Sequence, residues 1–108
     1  MSILILSNTI FEKEVEEFDG IAVVDFWAPW CSPCNFVSPI IEQLSLHYKD
    51  QIKVGKVNIE DNRELAMKYG VRNIPTVMFF KNGEIEEILV GARTLMEYKA
   101  VIINLMEK

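Results

Sequence analysis

The chain has 108 residues, half of them hydrophobic, with 11 Lys or Arg against 16 Asp or Glu, one His and a formal net charge of −5. That is enough apolar chain for one domain with its own core, and the negative balance argues against a nucleic-acid partner, whose phosphates it would repel. No stretch approaches the ~20 apolar residues of a membrane span, and MSILILSNTIFEKE has neither a basic leader nor a signal-length apolar run.

The expected location is therefore cytoplasmic, and residues 1–108, with no repeat or linker, read as a single domain. Residues 2–6 (SILIL) suggest a first strand, followed by a polar break at Ser7-Asn8. Thr9 and Glu12 have capping-box spacing and predict a helix that buries Phe11, Val15 and Phe18. Glu12, Glu14 and Glu16 would then form a solvated face, and Asp19-Gly20 would end the segment. Residues 21–27 (IAVVDFW) are almost continuously apolar, as in a strand covered on both faces, and Asp25 alone interrupts the run. A helix is predicted from Ser32 to Tyr48, with Pro33 in its first turn, a kink at Pro39 and a buried stripe of Val37, Ile40, Ile41, Leu44 and Tyr48.

A second covered strand follows over 52–59 (IKVGKVNI), again with an internal charge, Lys56. Asp61 to Tyr69 reads as a short helix closed by Gly70. A loop to Pro75 leads into TVMFF (76–80), and Asn82-Gly83 predicts a tight hairpin returning along Ile85 to Val90. Thr94 and Glu97 form a second capping box before a final helix that turns Leu95, Tyr98, Ile102 and Leu105 inward. The order βαβαβαββα implies an α/β fold with a central mixed sheet and helices on its faces. A site in such a fold sits beyond the carboxyl ends of the strands, where WCSPC falls.

Cys31 and Cys34 are the only cysteines. A structural zinc site wants a second Cys/His pair, and the single His47, placed at a helix C-terminus, does not supply one, which leaves only a metal shared between subunits. A structural disulfide closing so short a loop would stabilise by roughly 2 kcal/mol. A redox dithiol accounts for more. Residues three apart at a helix start can bridge with little backbone movement, and Cys31 faces the unpaired N–H groups that favour a thiolate, while Cys34 lies one turn inside. Cys31 is then the attacking thiol and Cys34 the resolving one.

The stretches VDFWAPWCSPC, PTVMFFKNGE and VGA, in this order and spacing, resemble the thioredoxin family. The resemblance covers essentially the whole chain and implies that family's fold, a five-stranded mixed sheet flanked by helices on both faces. It implies a monomeric protein-disulfide reductase with no cofactor beyond the Cys31–Cys34 disulfide, no metal, disulfide-containing target proteins and a flavoprotein thioredoxin reductase as electron donor. By the same resemblance Asp25 is a buried proton acceptor with Lys56 beside it, and Pro75 is a cis-proline opposite the cysteines. Trp30, Ile74, Pro75, Gly91 and Ala92 would form the flat surface that receives an extended substrate, and Trp27 and Pro39 match structural positions. Ser32 stands where the family usually has glycine and Asn35 where it usually has lysine. These positions, with Pro33 between the cysteines, are expected to tune the potential and the choice of reductase. A disulfide oxidase of the same fold is disfavoured because it commonly carries histidine inside CxxC, and a pure binding module because both cysteines are kept.

Overall fold

The computed structural model describes residues 3–108; Ser2, the first residue of the expected strand, lies outside them. Five strands and three α-helices follow in chain order: β1 (Ile3–Ile5), β2 (Ile21–Trp27), α1 (Ser32–His47), β3 (Lys53–Asn58), α2 (Arg63–Lys68), β4 (Thr76–Lys81), β5 (Glu84–Val90) and α3 (Leu95–Met106). A π-helical turn, Glu12–Glu16, lies between β1 and β2. The sheet order is β1-β3-β2-β4-β5. β3 runs parallel to β1 and β2, whereas β4 is antiparallel to β2 and β5. It is the mixed, doubly covered sheet that the resemblance implies.

The strands sort their side chains by alternation. Ile21 and Val23 of β2 pack with Val37, Ile41 and Leu44 of α1 and with Tyr98, Ile102 and Leu105 of α3. Ala22, Val24 and Phe26 point the other way, against Phe11 and Val15 of the π-helical turn and Leu65 of α2. A strand with helices on both sides has no polar face, hence the unbroken apolar run in β2. Asp25 shares the α1/α3 side with Val23.

Several local expectations hold for identifiable reasons. Thr94 caps α3 in a reciprocal box with Glu97. Asn82 and Gly83 both take positive φ, 53° and 84°, which is the geometry of a two-residue hairpin. α2 closes through Gly70 at φ 67°, with Val71 N–H donating to the Ala66 carbonyl and Gly70 N–H to that of Met67, so that two of its last carbonyls are satisfied.

The Thr9/Glu12 capping box does not form. The segment begins at Phe11 without a side-chain cap and closes i to i+5, Glu17 N–H to the Glu12 carbonyl at 2.8 Å. Burial of Phe11 and Val15 sets its position, and the polar residue before it serves another helix. Asn8 Oδ1 accepts from Leu65 N–H in the first turn of α2, while Asn8 N–H donates to Asn62 Oδ1. α2 therefore starts at Arg63 rather than Asp61, its N-cap Asn62 using its side chain to hold Asn8 and the Asn58 carbonyl. Two of the three glutamates read as a solvated face are engaged: Glu14 with Lys53 at 2.9 Å, and Glu16 with both Lys68 and the Tyr69 hydroxyl.

Candidate active site

The WCSPC segment joins the carboxyl end of β2 to the start of α1. Ala28 and the cysteines form a small buried cluster flanked by Trp27, Ile59 and Ile74. Cys31 is the N-cap of α1: its backbone is extended, φ −91° and ψ 110°, and its Sγ accepts from Cys34 N–H at 3.2 Å. Its carbonyl takes the Asn35 N–H at 3.2 Å. The sulfur thus occupies the position of a capping oxygen, where the free N–H groups and the positive end of the helix dipole converge. Cys31 and Cys34 are joined as a disulfide with Cα atoms 5.2 Å apart, within the ordinary range. Ser32, Pro33 and Asn35, the positions flanking the sulfurs, are exposed on the first turn.

The loop before β4 approaches from across the site. The Ile74–Pro75 bond is cis, and the Ile74 carbonyl oxygen lies 3.8 Å from Cys31 Sγ. Pro75 is buried, and its carbonyl accepts from Gly91 N–H at 2.8 Å, which brings the end of β5 against it. Gly91 has φ 88°, a conformation glycine accepts without strain. Ala92 is exposed beside it, and Trp30 is 66% exposed despite its size. Trp30 Nε1 donates to Glu60, just past the carboxyl end of β3. Cysteines, cis-proline, tryptophan and the Gly91-Ala92 turn therefore share one end of the sheet.

Asp25 lies beneath. On the α1/α3 side of β2 it falls between Val23, which packs with Val37, and Trp27, which flanks Cys34. Asp25 therefore shares the side of the sheet covered by α1, where Cys34 and Val37 lie one helical turn apart. It is 0% exposed, and neither carboxylate oxygen has a hydrogen-bond partner. Burial pushes its pKa from the ordinary 3.8 up to about 7, against the opposing pull of Lys56. Lys56 is its neighbour in the β2–β3 register. The amine does not bond the carboxylate, however: Nζ donates to Ser38 Oγ at 2.9 Å and lies 4.9 Å from the Trp27 ring centroid.

Three residues near the site escape a sequence reading. Ser38 holds Lys56, and its signal was position, four residues after Cys34 on the same helix. Glu60 anchors Trp30, and it follows β3 at the sheet's active end. Tyr98, at helical spacing, reads as a core side chain, yet its hydroxyl is buried without a partner. Among the described residues no group of three or more His, Cys, Asp or Glu side chains is arranged to hold a metal ion, and His47 is exposed against Tyr48. Among them, too, no helix is long and apolar enough to cross a membrane.

The Thioredoxin family profile matches residues 2–104. Thioredoxin 1 of Synechococcus elongatus is 41% identical over 103 residues, covering 95% of this chain and 92% of its own. The thioredoxin of Rickettsia bellii is 53% identical over 86 residues, 80% of this chain and 82% of its own. That of Pseudomonas aeruginosa is 39% identical over 97 residues, 90% of each chain. The chain belongs to the thioredoxin family, and it is a thiol–disulfide oxidoreductase.

Proposed function

We propose that this member of the thioredoxin family is a general protein-disulfide reductase in which Cys31 attacks and Cys34 resolves. The carrying observation is the disulfide at the helix start with the Cys31 sulfur in the capping position, and the unpaired buried carboxyl group of Asp25 on β2 supports the reading. In the reduced protein the Cys31 thiolate attacks a substrate disulfide. One substrate sulfur leaves as a thiolate, and a mixed disulfide forms. Cys34 then gives up its proton, attacks Cys31 Sγ and releases the second substrate thiol, so that the protein takes the disulfide and the substrate takes two electrons. Asp25 is the acceptor of the Cys34 proton. A carboxyl group that changes charge near pH 7 is matched to that task. Lys56, held by Ser38, moderates its charge.

Trp30, Ile74, Pro75, Gly91 and Ala92 form the platform for an extended segment of the target, and Ser32, Pro33 and Asn35 tune the reactive turn. We further propose a single domain that works as a cytoplasmic monomer, with no bound cofactor or metal, recharged by a flavoprotein thioredoxin reductase. The test is covalent trapping. Cys34→Ser should accumulate mixed disulfides with disulfide-containing proteins, while Cys31→Ser should trap none and lose all insulin-type disulfide reduction. If Cys34→Ser stays unmodified, or Cys31→Ser traps partners instead, the assignment of roles is wrong.

A further inference from the structure

The side of the sheet covered by α1 and α3 holds a second unpaired polar group besides Asp25. The Tyr98 hydroxyl is without a partner, and both residues are 0% exposed. A buried polar atom left unpaired destabilises the fold that holds it. Here the two are a donor and an acceptor in one layer. Asp25 pairs in register with Val77 of β4, and Val77 lies in the same core cluster as Phe79, Val37 and Tyr98. The Tyr98 ring centroid is 6.3 Å from that of Phe79, and α3 lies over β2 and β4. Tyr98 thus packs in the layer that holds Asp25, on its β4 side, and the Asp25 charge acts on its hydroxyl, while Lys56 neighbours Asp25 from the β3 side.

We propose that Tyr98 is a positioning residue for the redox reaction: its hydroxyl, through one buried water, donates to the Asp25 carboxylate and holds it for the Cys34 proton. The inference rests on Asp25 being the proton acceptor. The phenol stays protonated across the working range, because burial pushes its pKa up against the opposing pull of the Arg93 backbone N–H, and the Asp25 charge adds to the push. It therefore donates to an ionised Asp25 and accepts from a protonated one. The bond to the ionised form is the stronger, so Tyr98 favours the carboxylate. The other groups acting on the pair are Lys56 from β3, on Asp25, and Arg93 and Glu97, on the Tyr98 hydroxyl, Arg93 through its backbone N–H as well as its charge. β4 presents only Val77.

Tyr98→Phe keeps the ring and removes the donor. The Asp25 titration, followed by carboxyl carbon NMR with Asp25→Asn as the assignment control, should move upward by about 0.5–1 in pH, the equivalent of one net hydrogen bond. The acid limb of the pH profile for disulfide reduction should move with it. Substituting 3-fluorotyrosine, a stronger donor, should move the titration downward. An Asp25 titration unmoved by either change overturns the inference and leaves the proton-acceptor reading intact. Full activity of Asp25→Asn at neutral pH would instead end that reading, and with it any part for Tyr98 in the reaction, even if the titration had moved.

Discussion

On the side of the sheet facing the π-helical turn and α2, aromatic rings fill the core edge to face: Phe11 and Phe80 at 5.9 Å, Tyr69 and Phe80 at 5.8 Å. The polar tip of that cluster, the Tyr69 hydroxyl, ends on Glu16. The opposite side, under α1 and α3, is equally well filled lower down, with Val23, Val37, Ile41, Leu44 and Phe79 all 0% exposed. Toward the cysteines it changes character and holds an unpaired carboxyl group and an unpaired phenol. Two layers of the same sheet thus differ in completeness. One is finished as a core. The other carries, at the end where the disulfide sits, groups that weaken the fold by their burial, and a fold tolerates such groups where chemistry uses them.

The comparison should show first as a loss. Phe80→Ala, on the finished side, is expected to destabilise by about 3–5 kcal/mol, because the ring leaves a cavity among neighbours with little freedom to collapse. Denaturant unfolding measures the loss, and the midpoint potential of the molecules that remain folded should stay in place. A potential displaced along with the stability would mean that the two layers are coupled and the contrast is false.

On the other side the sign should reverse. The Asp25 carboxyl titrates near 7 in the fold against an ordinary 3.8. Below the lower value both states are protonated and the group contributes nothing. As pH rises between the two, the unfolded chain ionises first and the fold loses ground. Above 7 the penalty is complete, on the order of 4 kcal/mol by linkage. Asp25→Asn removes it. The variant should be more stable than the parent at pH 8 by a sizeable fraction of that amount, with the gain fading toward pH 4, while disulfide reduction at neutral pH slows. A gain that does not vary with pH would separate it from Asp25 ionisation.

The finished layer was also the more legible. Continuous apolar runs show that β2 and β3 are covered on both sides, and Asn82-Gly83 and Thr94/Glu97 are local codes that depend on nothing distant. The π-helical turn was missed because Thr9 and Glu12 have the right spacing, whereas the outcome depended on Asn8 meeting Asn62 and Leu65, more than fifty residues away. The charges of Asp25 and Lys56 inside apolar runs pointed to a special site, and the family resemblance placed them together. That Lys56 turns to Ser38 could not be read from spacing, since a long side chain chooses among neighbours on three elements. Tyr98 was hidden by its own regularity: at its spacing in α3 a tyrosine and a leucine look alike, and only the unpaired hydroxyl distinguishes them.

The smallest expected effect lies on the exposed rim of the incomplete layer. Asn35 is exposed in the first turn of α1, its N–H on the Cys31 carbonyl at 3.2 Å. A lysine there would bring a cation near the capping sulfur and favour the thiolate, although screening by water and salt keeps the gain to a few tenths of a kcal/mol. It would also oppose the helix dipole at its positive end, by a similarly small amount in both redox forms. The second effect cancels in the potential and the first does not, because only the reduced protein has a thiolate to stabilise. Asn35→Lys should therefore shift the midpoint toward more oxidising values by on the order of 5–10 mV at low ionic strength. It should also lower the stability of the oxidised protein slightly. Equilibration in a redox buffer with and without 1 M salt resolves the two: a charge effect shrinks when salt is added. A shift in the reducing direction, or one that survives the salt, would show that this position acts through the conformation of the turn rather than through charge at the sulfur.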